Sequence, residues 1–120
     1  MAAEILVVDD EADIRELVGG ILQDEGFAVR TAGNSTDALA AVRARAPRLV
    51  VLDVWLKGSE LDGLGILTML KEMDPFLPVV VISGHGTVET AVEAIRRGAY
   101  DYLEKPFKAE KLIVTIQRAM

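Results

Sequence analysis

The chain has 120 residues, 51% of them hydrophobic, which is enough to enclose one core and too few to divide readily, so residues 1–120 read as a single domain. Thirteen basic residues against nineteen acidic ones leave a formal charge of −6, so phosphate backbones repel the domain as a whole and direct nucleic-acid contact is not expected. No apolar run approaches the roughly 20 residues that cross a bilayer, the start MAAEILVVDD lacks the basic end of a signal peptide, and the absence of cysteine removes disulfides and thiol chemistry.

Short apolar runs rich in β-branched residues recur at Ile5 to Val8, Leu49 to Leu52 and Val79 to Ile82, the pattern of buried parallel strands. A weaker strand is expected from about Phe27 to Thr31, and a fifth around Tyr102 and Leu103. Helical spacing fills the gaps. Ile14, Leu17, Val18, Ile21 and Leu22 follow i, i+3, i+4, i+7, i+8, and Gly26 supplies the stop. A second helix opens near Ser35, carries Ala38, Leu39 and Val42 inward and ends before Pro47. The third runs from about Leu64 to Met73. The fourth starts near Thr87, is expected to bury Val88, Ala91, Val92 and Ile95, and stops at Gly98. The fifth presents Leu112, Ile113 and Ile116 on one face and reaches Met120 with no capping residue, which suggests a piece of a longer protein. Five strands alternating with five helices predict an α/β fold, a doubly wound (βα)5 parallel sheet of flavodoxin-like order 2-1-3-4-5.

In such a sheet ligands bind beyond the carboxyl ends of the strands, where the strand order reverses. Asp9 and Asp10 follow the first strand, Asp53 the third, Ser83 the fourth and Lys105 the fifth. Three carboxylates in one crevice repel one another, and a hard divalent cation with oxygen ligands, Mg²⁺ or Mn²⁺, relieves that repulsion. Beside such an ion Asp53 can serve as a nucleophile toward a phosphoryl group. Lys105 supplies a further positive charge, and Ser83 a hydroxyl donor.

The motifs VVDDE, VLDVW, ISGHG and YDYLEKPF resemble the receiver domain of a two-component response regulator over essentially the whole chain. The resemblance implies that Asp53 accepts a phosphoryl group from a sensor histidine kinase. It implies that Asp9, Asp10, Asp53 and the backbone carbonyl of Trp55 hold the metal, and that Ser83 and Lys105 contact the phosphoryl group. Ser83 and Tyr102 then fall at the switch positions, and Lys105-Pro106 at a cis peptide. The stretch SGHGTVETAVEAIRRGAYDYLEKPF is similar to the nitrogen-regulation class of transcription regulators, in which an ATPase and a helix-turn-helix domain follow. The loop DVWLKGSELDG, with Lys57 in place of a common proline and Gly63 ten residues after the acceptor, is similar to the NtrX type. A cytoplasmic homodimer is implied, in which phosphorylation changes the face of the fourth helix, fifth strand and fifth helix, with Arg96, Arg97, Asp101, Glu104 and Lys108 upon it.

Each of these residues also has a plainer reading. Asp9 and Asp10 resemble a helix cap, Ser83 a turn cap, Lys105 a surface lysine and Tyr102 a core aromatic. His85, the only histidine, reads more readily as a bystander between Gly84 and Gly86 than as a group acting in hydrolysis. Three rival functions stand beside the switch. An aspartate-nucleophile phosphohydrolase would need DxDx[TV] after the first strand, where Asp9-Asp10-Glu11-Ala12-Asp13 stands instead. A nucleotide or flavin binder would need a Gly- or Ser/Thr-rich phosphate loop after Val8. A receiver-fold module that signals without phosphate needs none of the acceptor residues, all of which are present.

Overall fold

The three β-branched runs form the centre of a five-stranded parallel sheet in a computed structural model that describes residues 2–56, 62–84 and 87–120. In chain order the elements are β1 (Glu4–Val8), α1 (Ala12–Asp24), β2 (Ala28–Ala32), α2 (Ser35–Ala44), β3 (Leu49–Asp53), α3 (Gly63–Met73), β4 (Val79–Ser83), α4 (Val88–Arg96), β5 (Asp101–Glu104) and α5 (Ala109–Ala119). The order across the sheet is β2-β1-β3-β4-β5, as expected, so the reversal falls between β1 and β3.

Alternation along each strand sends side chains to two separate cores. Leu6, Val8, Val50, Leu52, Val79 and Val81 pack with Leu39, Ile66, Leu67, Leu70 and Ala94 from α2, α3 and α4. Ile5, Val7, Leu49, Val51, Val80 and Ile82 pack with Val18, Leu22, Leu112 and Ile116 from α1 and α5. Because β1, β3 and β4 are covered on both faces, every position in their apolar runs is buried, which is why those runs do not alternate with polar residues.

Local chemistry sets the helix ends. Asn34 caps α2 by accepting from the Asp37 amide (2.8 Å), Asp62 caps α3 at Gly65 (2.8 Å), and Thr87 caps α4 at Thr90 (3.2 Å). Gly26 and Gly98 lie at φ 90° and 106°, the left-handed conformation that ends α1 and α4.

Two helix faces differ from expectation. Leu17 on α1 is 58% exposed, while Val88, Val92 and Ile95 on α4 are 80%, 51% and 49% exposed, and Ala94 is the residue α4 buries fully. The apolar stripe of α4 is real, but it is turned away from the sheet, which receives the small Ala94 instead. Arg97 pairs with Glu93 (2.9 Å) and also reaches Thr68 of α3 (3.4 Å), which ties α4 to α3.

Two glycines lie within α1. A β-carbon on Gly19 would meet Val29 at an ordinary 3.5 Å, and one on Gly20 would meet nothing within 4 Å. Neither position is at positive φ, so the pair only weakens the helix. Gly20→Ala should therefore raise stability by about 1 kcal/mol in chemical denaturation; an unchanged or lower midpoint would contradict the helix-propensity account.

Candidate functional site

Four strand ends, those of β1, β3, β4 and β5, deliver the polar residues singled out from sequence to one edge of the sheet. Asp9, just past β1, donates its amide to the Ala32 carbonyl (3.1 Å), which extends the β1–β2 ladder by one step and holds a fully buried carboxylate at the crevice. Its Oδ1 accepts from the Glu11 amide (2.9 Å) and its Oδ2 from Lys105 Nζ (3.0 Å). Asp53, the last residue of β3, is 3% exposed; its Oδ1 accepts from the Trp55 amide (3.3 Å) and its Oδ2 from the same Lys105 ammonium (3.3 Å). Asp10 completes the group: one oxygen from each of Asp9, Asp10 and Asp53 lies within 4.8 Å of the others.

The backbone fixes the remaining two positions. The Val54 amide donates to Ile82 (3.1 Å), and Asp53 is in register with Ile82, which places the buried Ser83 one step beyond Asp53 on the neighbouring strand. The Lys105 amide donates to the Ser83 carbonyl (2.8 Å), and the Lys105-Pro106 peptide is cis, as the resemblance implied. Trp55 stands half exposed at the rim. His85 and Gly86, and residues 57–61 of the lengthened loop, lie outside the described residues. Asp62, at the end of that loop, is the cap of α3.

Electrostatics follow from burial. Withdrawal from water, then repulsion by Asp9, push the Asp53 carboxyl up to about 6, against the opposing pull of Lys105 and the Trp55 amide. Burial alone would depress the Lys105 ammonium, but its hydrogen bond to Asp9 and the charges of Asp53 and Asp9 outweigh that and hold it above the usual lysine range. With all groups ionised, three carboxylates and one ammonium leave a local charge of −2, from −3 and +1. A hard divalent ion matches both that charge and the all-oxygen donor set, so the residues fit Mg²⁺.

A pH dependence follows. The folded Asp53 carboxyl binds its proton more tightly than an unfolded aspartate, whose value is about 3.9. In metal-free protein its contribution is therefore most favourable at low pH and is lost as pH rises from about 4 to about 6. Glu4, held below the usual range by its hydrogen bond from Arg45 and by Arg30, acts in the opposite sense at lower pH, so a difference measurement is needed. The stability of Asp53→Asn minus that of the parent should grow across that window and level off above it. A difference independent of pH would show that Asp53 is not repelled.

Tyr102 is partly buried against the core beneath α4, and its hydroxyl is sealed from solvent with no hydrogen-bond partner among the described residues. The ring therefore lies inward, against the core. Arg15 and Gly63 were not anticipated as contributors to the site. Arg15 Nη1 donates to the Asp9 carbonyl (2.6 Å), and a β-carbon on Gly63 would strike the backbone of Asp53 and Val54. Gly63 left a trace in its spacing from Asp53, whereas nothing in the sequence marks Arg15.

Residues 5–117 match the family described as the response regulator receiver domain. The chain belongs to that family. The nitrogen assimilation regulatory protein NtrX of Azorhizobium caulinodans is 58% identical over the whole chain, which spans 26% of that relative. The crystal structure of the receiver domain of NtrX from Brucella abortus superposes with a TM-score of 0.93 at 65% identity, covering 96% of both chains. The beryllofluoride-activated NtrC4 receiver domain dimer, solved in solution, is 41% identical over 97% of this chain and 94% of that one, with a TM-score of 0.90. This receiver is thus of the NtrX/NtrC type, a signalling domain rather than a classical enzyme, and it spans about a quarter of the length of the curated relatives it matches. No helix among the described residues is long and apolar enough to cross a membrane.

Proposed function

We propose that this receiver takes a phosphoryl group on Asp53 from a phosphohistidine of a sensor histidine kinase and so switches a transcription regulator. The convergence of Asp9, Asp10, Asp53 and Lys105 at the reversal point of the sheet supports this above all. An Asp53 oxygen attacks phosphorus, the phosphorus–nitrogen bond of the donor breaks, and the departing imidazole recovers a proton from solvent. Asp9, Asp10, Asp53 and the Trp55 carbonyl would hold Mg²⁺ or Mn²⁺, which when bound supplies positive charge beside the phosphoryl oxygens. Lys105, now shared between Asp9 and Asp53, would turn to a phosphoryl oxygen, and Ser83 would donate to another. The same site would assist hydrolysis of the acyl phosphate.

The output surface is the side of α4 and β5 where Val88, Val92, Ile95 and Tyr100 are exposed, flanked by Asp101 and Glu104 and continued by Lys108 at the start of α5. The activated relative is a dimer by its description, which supports a second copy of this chain on that surface, with Ser83 and Tyr102 relaying the change. One longer relative is described as a DNA-binding regulator, and the longer NtrX of Brucella abortus has been solved with ADP and with ATP, which supports DNA-binding and ATPase domains elsewhere in the full regulator; we place that regulator in the cytoplasm.

Intact mass after incubation with Mg²⁺ and a small phosphodonor tests the reading: one added phosphoryl group is expected. No addition favours a binding module that signals without phosphate, and rapid multiple turnover favours a hydrolase.

A further inference from the structure

The Asp9 carboxylate is held by Glu11 and Lys105, but its peptide carbonyl is held separately. Arg15, one turn into α1 and partly buried, folds back so that Nη1 donates to that carbonyl at 2.6 Å. Opposite, at the turn between β2 and α2, a β-carbon on Gly33 would lie 3.1 Å from the same Nη1, 3.6 Å from Cζ and 3.9 Å from the carbonyl oxygen. The guanidinium therefore occupies space left by the missing side chain of Gly33. Meanwhile Glu11, at the N-cap of α1, supplies no side-chain cap, so the turn between β1 and α1 is held by the bond from the Glu11 amide to Asp9 Oδ1 and by this grip on the Asp9 carbonyl.

We propose that Arg15, seated against Gly33, is a positioning residue that fixes the Asp9-Asp10 peptide and so sets how Asp10 meets the cation. The carbonyl it grips belongs to the peptide that joins the two acidic residues, so rotation of that peptide swings Asp10 relative to Asp9. A guanidinium bonded to the carbonyl oxygen resists that rotation. The inference rests on the metal-binding reading above.

Charge and positioning predict opposite signs, which makes the idea decidable. If Arg15 were only a nearby cation, removing it would tighten Mg²⁺ binding, because one repulsive charge would be gone. If it positions the peptide, removal should weaken binding by about tenfold, in the range of losses on removing groups that orient metal ligands. The test is Mg²⁺ titration of the whole chain, read by Trp55 fluorescence, in the parent, Arg15→Ala, Arg15→Lys and Gly33→Ala, with folding checked by circular dichroism. The expected order of affinity is parent, then Arg15→Lys, which keeps a donor, then Arg15→Ala. Gly33→Ala should weaken binding a few-fold in the parent but not in the Arg15→Ala background, since the two act through one contact. Equal or tighter binding in Arg15→Ala overturns the proposal, as does an additive effect of Gly33→Ala. Should Arg15→Ala not fold, unchanged affinity in both Arg15→Lys and Gly33→Ala overturns it. Failure of the parent to bind Mg²⁺ would instead refute the metal reading. Metal-free exchange of the Glu11 amide, expected to quicken in Arg15→Ala, would still report on the turn.

Discussion

Asp53→Asn should yield a folded domain that gains no phosphoryl mass under conditions where the parent gains one. The amide has nearly the same shape, so it keeps the place of Asp53 at the end of β3, but it has no anionic oxygen to attack phosphorus. The neighbouring carboxylates are poorly placed to substitute. Asp9 is fully buried and engages both Glu11 and Lys105, and Asp10 belongs to the proposed metal set. Loss to background is therefore the expected magnitude, read as intact mass and as base-labile label. Undiminished labelling of the variant at another residue would remove Asp53 from its role. The same variant should be the more stable one in metal-free buffer above about pH 6, because it relieves the carboxylate that burial and Asp9 oppose.

The second large effect is steric. A β-carbon on Gly63 would sit 2.5 Å from Val54 Cα and 2.8 Å from the Asp53 carbonyl carbon, both of them backbone atoms that cannot swing aside. The Gly63 amide also donates to the Val54 carbonyl at 2.7 Å, so the first turn of α3 is locked against the segment that follows the acceptor. Gly63→Ala must push them apart. We expect a loss of about 3 kcal/mol or more, by the cost of overpacking a rigid site. Mg²⁺ affinity should fall with it, because the displaced segment carries both Asp53 and Trp55. Denaturant titration and metal titration check the two parts; unaltered stability would mean that α3 slides freely on the sheet.

The sheet was legible in the sequence because β1, β3 and β4 are buried on both faces, and a short, uninterrupted β-branched run suits a doubly covered strand far better than a helix. The acceptor residues were legible for a related reason: parallel strands all end on one side, so knowing where each run stops places Asp9, Asp53, Ser83 and Lys105 together. Helix faces were less so. Periodicity reports that Val88, Val92 and Ile95 share a stripe, but it carries no information on whether the chain's own sheet covers that stripe, and here Ala94 faces the sheet instead. Leu17 misled in the same way. The contact of Arg97 with Thr68 was equally hidden, because Thr68 is distant in sequence and bears no charge. The grip of Arg15 on a carbonyl was invisible, since a backbone oxygen is present at every position and leaves no compositional mark.

The shallow seating of α4 has a consequence for motion. A helix that buries one alanine fully forfeits little apolar contact when it lifts, tilts or unwinds, so its opening free energy should lie far below that of global unfolding. In native-state hydrogen exchange its amides should exchange through a local opening, while those of β1, β3 and β4 wait for the whole domain. A small gap between conformers also means that a modest stimulus redistributes them: where the minor form is a few per cent populated, about 4 kcal/mol of preference inverts the ratio. The contacts of one acyl phosphate with a hydroxyl and an ammonium are of that order. Loose attachment thus makes α4, which buries fewest residues of the five helices among the described residues, the helix most easily driven by chemistry several residues away.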